Sequence, residues 1–208
     1  GGSTVVNITG GQFTNNTAKF YGGFAFLEEK ASLHCEGATI KGNVAGDQGG
    51  GVYAREATTI ASSCDLIANE SPQGAALYLT YVESATFENH EVAGNVASGG
   101  SVVYLAASSV VVKGVTFEAS VDHQEDSSNR AIQTVGNTTL RAEQCAFEDW
   151  AGDTVIYHTN WMNGTLVLDS CEFRRSSATM VVTSPNSAAE IRNAVVDDLT
   201  FANLNVGQ

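Results

Sequence analysis

The sequence predicts an all-β chain, a right-handed parallel β-helix (solenoid) of about eight coils. Each coil has three short strands and a period of about 26 residues. Three observations predict it. The first is a repeated unit: an apolar residue, an Asn three places on, then glycines and a short apolar strand. It is written as Phe13–Asn16 with Gly22 and Gly23, and as Ile40–Asn43 with Gly49, Gly50, Gly51, Val52 and Tyr53. Leu66–Asn69 with Gly74 to Tyr78, and Val92–Asn95 with Gly99 to Tyr104, complete the set. The second is the continuation of the apolar anchor through Phe117, Phe147, Phe173 and Val196, at spacings of 27, 26, 26, 25, 30, 26 and 23 residues. The third is period-two alternation around the anchors, as in Cys145-Ala-Phe147 and Cys171-Glu-Phe173, with no helical spacing over three turns.

In the second coil the strand candidates are Leu33–Cys35, Ala38–Ile40 and Gly51–Ala54. Two residues before each anchor stands Gly11, Ala38, Cys64, His90, Val115, Cys145, Cys171 or Ala194, an inward register in which His90 is the odd member. The ladder positions Asn16, Asn43, Asn69 and Asn95 should stack at one corner, since Asn tolerates a left-handed backbone and its amide can bond the coils above and below. Ser120, Trp150, Ser176 and Leu199 take that place in the second half, so the corner there must be built differently. The longest gap, between Phe117 and Phe147, holds a polar loop from Val121 to Asn129.

The 208 residues read as one β-helix domain, 1–208, with no internal boundary. The chain begins without Met, lacks a signal peptide and runs into the repeat at both ends, so it reads as a piece of a longer chain. The partners this implies are other protein segments or further copies at the coil ends. Lys and Arg number 10 against 23 Asp and Glu, a net charge of −13, which argues against nucleic acid as a partner. No apolar run is long enough to span a membrane as a helix.

The Phe-x-x-Asn and Gly-Gly-[Ala/Gly/Ser]-[Ile/Val/Leu]-Tyr pattern, closest at Phe13–Asn16 and Gly49–Tyr53, resembles the repeat of the polymorphic outer-membrane protein family. The resemblance covers residues 13–105, with Ile40, Leu66 and Val92 standing where the pattern has Phe. It implies a β-helix surface protein with a role in adhesion.

Cys145 and Cys171 lie one coil apart in the same register, within disulfide range in Cα separation. Cys35 and Cys64 are three positions out of register and can pair only if the Glu36-Gly37 region bulges. Both bridges are expected. Of five Asn-x-Ser/Thr sequons, roughly three are due by chance. Asn7, Asn15, Asn137 and Asn163 are the expected bearers of N-linked glycans, and Asn69 is excluded by Pro72 and by its ladder position. Sequons, paired cysteines and the repeat agree on a secreted or cell-surface location.

Carbohydrate-active β-helices need carboxylates converging on a groove. Here the acidic clusters are Glu148-Asp149 with Asp153, Asp197-Asp198, and Asp122/Glu125/Asp126 with His123. The first two share a register two coils apart, and Glu148, Asp149, Asp197 and Asp198 are the best candidates for an acid–base pair. No metal or cofactor site is expected, since His34, His90, His123 and His158 show no ligand spacing. The aromatic row Phe26, Tyr53, Tyr78, Tyr104 and Tyr157 reads as core packing; turned outward it would be a platform for sugar rings. The reading is a non-catalytic structural or adhesion module, a rigid spacer, filament or appendage component. The alternative is an enzyme or binder acting on surface polysaccharide.

Overall fold

A computed structural model describes residues 3–120, 130–151, 154–159, 163–183, 187–197 and 204–205. Among the described residues every regular element is a strand, and the strands pair in parallel. Eight coils stack, and their strands fall into three sheets of fourteen, eight and four strands. The anchors form one file. Phe13 pairs with Ile40, Ile40 with Leu66, Leu66 with Val92, and so on through Phe117, Phe147, Phe173 and Val196. Inter-strand spacing makes the rod roughly 34 Å tall.

The expected strands of each coil are present. In the second coil the first two fuse into Ser32–Lys41, and in the third into Thr59–Ile67. A fourth, two-residue strand directly follows the ladder Asn in the first four coils, as at Val44–Ala45; these make the smallest sheet. The core is a column of Leu, Ile, Val and Phe side chains, with Phe117, Phe147 and Phe173 stacked at 5.0 Å between ring centroids. An aromatic file at coil spacing gains stacking contact beyond its buried area.

The ladder forms as expected. The Asn16 amide donates to Asn43 Oδ1 at 2.8 Å, Asn43 to Asn69 at 3.0 Å and Asn69 to Asn95 at 3.0 Å. Each also reaches across to the preceding coil: Asn43 Nδ2 donates to Phe13 O, Asn69 to Ile40 O and Asn95 to Leu66 O. The left-handed residue at this corner is not the ladder Asn but the one before it: Asn15, Gly42, Ala68 and Gly94. That turn leaves the Asn side chain directed inward, and Asn43 and Asn69 are wholly buried. In the second half Trp150 does the same work. Its indole Nε1 donates to Phe117 O at 3.2 Å, and its backbone N donates to Ser176 Oγ at 3.1 Å.

In the first three coils the glycines of the repeat are steric necessities. Gly49 and Gly74 hold φ of +69° and +64°, and a Cβ there would stand 2.9 and 2.8 Å from the Cβ atoms of Tyr53 and Tyr78. At Gly50 a Cβ would lie 2.5 Å from two backbone carbonyl oxygens, so the coils approach that closely only without one.

Cys35 and Cys64 are bridged, with Cα atoms 5.9 Å apart. The register shifts between Glu36 and Thr39, the bulge that pairing required. Cys145 and Cys171 are not bridged; both are buried free thiols, which corrects the expectation. In-register neighbours on parallel strands carry parallel Cβ vectors about 4.8 Å apart, wider than the ~3.8 Å a disulfide spans. The Cys35–Cys64 offset turns the two vectors toward each other; Cys145–Cys171 has no such offset.

Candidate functional surfaces

Side chains two apart on a strand share a face, so each outer face carries files of side chains one coil apart. The aromatic row is one such file. Val52, Ala54, Leu77, Leu79, Val103 and Leu105 belong to the core, and Tyr53, Tyr78 and Tyr104 lie between them on the opposite face. The expectation of core packing is therefore corrected: the row lies outside the core. A left-handed glycine, Gly22, Gly49 or Gly74, precedes the strand in the first three coils, and the in-register pairing of Tyr78 with Tyr104 carries the same parity into the fourth.

The rings lie nearly parallel. Phe26–Tyr53, Tyr53–Tyr78 and Tyr78–Tyr104 have centroids 5.2, 5.3 and 4.7 Å apart, with interplanar angles of 9°, 4° and 9°. Tyr21 stacks on Tyr53 at 4.8 Å. Each ring in the file covers the face of the next, so the row offers edges and hydroxyls to an approaching molecule. A sugar ring stacks on an aromatic face, so the interior of the row is no sugar platform. Burial, then the neighbouring Tyr104 and Tyr53, push the Tyr78 phenol well above its ordinary range.

The carboxylates behave differently. Glu148 stands in register with Arg174, and Arg174 with Asp197. Arg175 holds both oxygens of Asp149, at 2.8 and 2.9 Å, and Glu148 at 2.7 Å; Arg174 reaches Glu148 at 3.3 Å and also pairs with Glu172. The Arg175 hydrogen bonds hold the Asp149 carboxyl below its ordinary range. These acids are the charged rungs of an ion-pair ladder, so Glu148 and Asp149 are not free to share a proton with a substrate. Asp153, Asp198 and the 121–129 loop with Asp122, His123, Glu125 and Asp126 lie outside the described residues.

An open groove of about 430 Å³ crosses the outer face of the first four coils beside the bulge. Asn7, His34, Glu36, Ser63, Thr86 and Glu88 are among its lining. Glu36 and Glu88 lie two coils apart, roughly 10 Å, and neither has a salt-bridge partner among the described residues. Neither was singled out in the sequence; the signal was their position beside a bulge that only the cysteine offset announced.

Two histidines are core residues. His90 is buried; its Nδ1 meets Glu88 O at 3.3 Å, while Nε2 has no hydrogen-bond partner among the described residues. Burial lowers its pKa. His158 is wholly buried beside Thr134, with 2.5 Å between Nδ1 and Oγ1, and burial pulls its pKa down to about 4. Its file runs Ala54, Leu79, Leu105, Thr134, His158, Thr183, so the core turns polar in the later coils. No cluster of three or more metal-ligating side chains occurs among the described residues.

Asn7, Asn15, Asn137 and Asn163 are exposed, and Asn69 is buried in the ladder. No helix among the described residues is long and apolar enough to cross a membrane.

No curated protein and no solved structure matches the chain. Residues 29–196 match the family described as "Right handed beta helix region", which spans six of the eight anchors' coils and the start of the last. With the parallel pairing, the single file of anchors and this match in hand, the chain belongs to the right-handed β-helix family.

Proposed function

We propose that this chain is a non-catalytic structural or adhesion module of a large extracellular or cell-surface protein, a rigid rod that holds or presents other segments. One observation carries the reading. The carboxylates best placed for acid–base work, Glu148 and Asp149, are neutralised from one coil to the next by Arg174 and Arg175. Such a surface serves cohesion rather than turnover. We also propose that the repeat is of the polymorphic outer-membrane protein type. Support comes from the motif residues themselves: the Asn of each unit enters the ladder, and in the first three units the glycines sit where no side chain fits. The four exposed sequons and the Cys35–Cys64 bridge favour an oxidising, secretory location.

The test is cell fractionation with surface biotinylation, joined to peptide mass spectrometry. Labelled chain at the surface and glycan on Asn7, Asn15, Asn137 or Asn163, with none on Asn69, is the expected result. A chain confined to the cytoplasm with reduced Cys35 and Cys64 would overturn it.

A second reading, action on polysaccharide, is favoured by the groove with Glu36 and Glu88. Reducing-end release from a panel of neutral and acidic polysaccharides, abolished by Glu36→Gln or Glu88→Gln, would establish it against the first.

A further inference from the structure

The charge is distributed unevenly over the rod. Strands of the fourteen-stranded sheet carry eleven Asp and Glu residues against five Lys and Arg (Lys41, Lys113, Arg141, Arg174 and Arg192), a net charge of −6. Strands of the eight-stranded sheet carry one, Glu28, and it is ion-paired to Arg55 at 2.7 Å. The only other charge in those strands is Arg130, which lies over the Tyr157 ring at 4.7 Å. In a chain of net charge −13, one long face has been kept neutral. It is also the face with the aromatic file. Beside that file runs a half-buried row of small and uncharged side chains: Thr80, Ala106, Val135 and Thr159. Asp47, Glu29, Glu56 and Glu83 stand at the turns that border the face rather than in its strands.

We infer that this neutral face is a side-by-side docking surface for a second copy of the chain. Two copies repel each other, and contact through the fourteen-stranded sheet would set two net-negative faces together. Through the neutral face they can touch without burying an unpaired charge. The rise is the same in both copies, so the files of side chains on one rod stay in step with those of the other along the whole height. Stacked aromatics and flat ladders pair in this way in dry sheet interfaces. Tyrosine is also among the side chains enriched where proteins meet.

The face is small. Eight strands by four residues present roughly 34 by 13 Å. That is about half of the ~800 Å² per partner in a stable complex, the size of a weak, transient contact. The inference does not depend on the role proposed above; a catalytic rod would pair by the same face.

Sedimentation velocity from about 5 to 500 µM, in low and in high salt, tests it. The weight-average mass should climb toward the dimer with concentration. It should climb further in high salt, because salt screens the repulsion between copies while the contact has no ion pairs to lose. Tyr104→Glu should move association to at least tenfold higher concentration. Ala106→Glu, in the neighbouring row, does the same test without disturbing the ring stack. Val111→Glu, on the charged sheet, should leave association unchanged. Circular dichroism confirms that each variant is folded. A monomer at every concentration and salt overturns the inference. So does a dimer that survives both face variants, or one that dissolves as salt rises.

Discussion

At the scale of single residues, the buried polar groups decide how the rod responds to solution conditions. Asn69 Oδ1 accepts from both the backbone N and the side-chain amide of Asn43. Asn69→Ala orphans two buried donors at about 1–3 kcal/mol each. We expect a loss of about 3 kcal/mol, read as a lower urea midpoint at unchanged m. His158 sets the acid limit. Its folded pKa is about 4 against an ordinary value of 6.5, so between these values the unfolded chain binds the proton and the folded chain does not. Stability therefore falls as pH drops below about 6.5, by about 2 kcal/mol at pH 5. His90, lowered by burial, acts in the same direction. The check is urea unfolding at pH 7 and pH 5; His158→Leu should flatten the difference. A pH dependence unchanged in the variant would remove His158 from the account.

At the scale of elements, corners and strands divide the labour. Trp150→Phe removes the Nε1 bond to Phe117 O and, in this buried site, leaves a cavity where the second ring of the indole stood; together these should cost about 2–4 kcal/mol of stability. The two cysteine pairs differ in kind. Unreduced protein should show no reactive thiol while folded and two per chain in denaturant, from Cys145 and Cys171. The hydrogen bond with Cys171, then burial, raise the Cys145 thiol and make it a poor nucleophile even when reached. Reducing Cys35–Cys64, which closes a loop across 29 positions, should cost about 3 kcal/mol. Four reactive thiols in unreduced denatured protein would contradict the bridge.

At the scale of the whole molecule, each coil touches only its neighbours, so stability is a chain of interface terms. Phe147 lies between Phe117 and Phe173, and Phe147→Ala should cost about 3–5 kcal/mol at that level of the rod. Hydrogen exchange should show the loss concentrated in the coils next to residue 147, with the Asn ladder of the first four coils still protected. Uniform loss along the rod would mean that the coils unfold as one unit.

The sequence by itself determined whatever depends on distance along the axis. Residues one period apart come to lie on top of each other, so the anchor file, the Asn ladder and the need for a bulge at Glu36-Gly37 were all legible as spacings. What spacing leaves open is the direction of a side chain around the axis, since one left-handed residue at a corner exchanges the inner and outer members of an apolar pair. Only the tertiary structure turned the tyrosines outward and put His158 in the core. It alone set Arg174 and Arg175 against the acids of the coil before, and it kept Cys145 and Cys171 apart although they share a register. Axial neighbours follow from counting residues; facing follows from the backbone angles at each corner, which the neighbouring coils fix together.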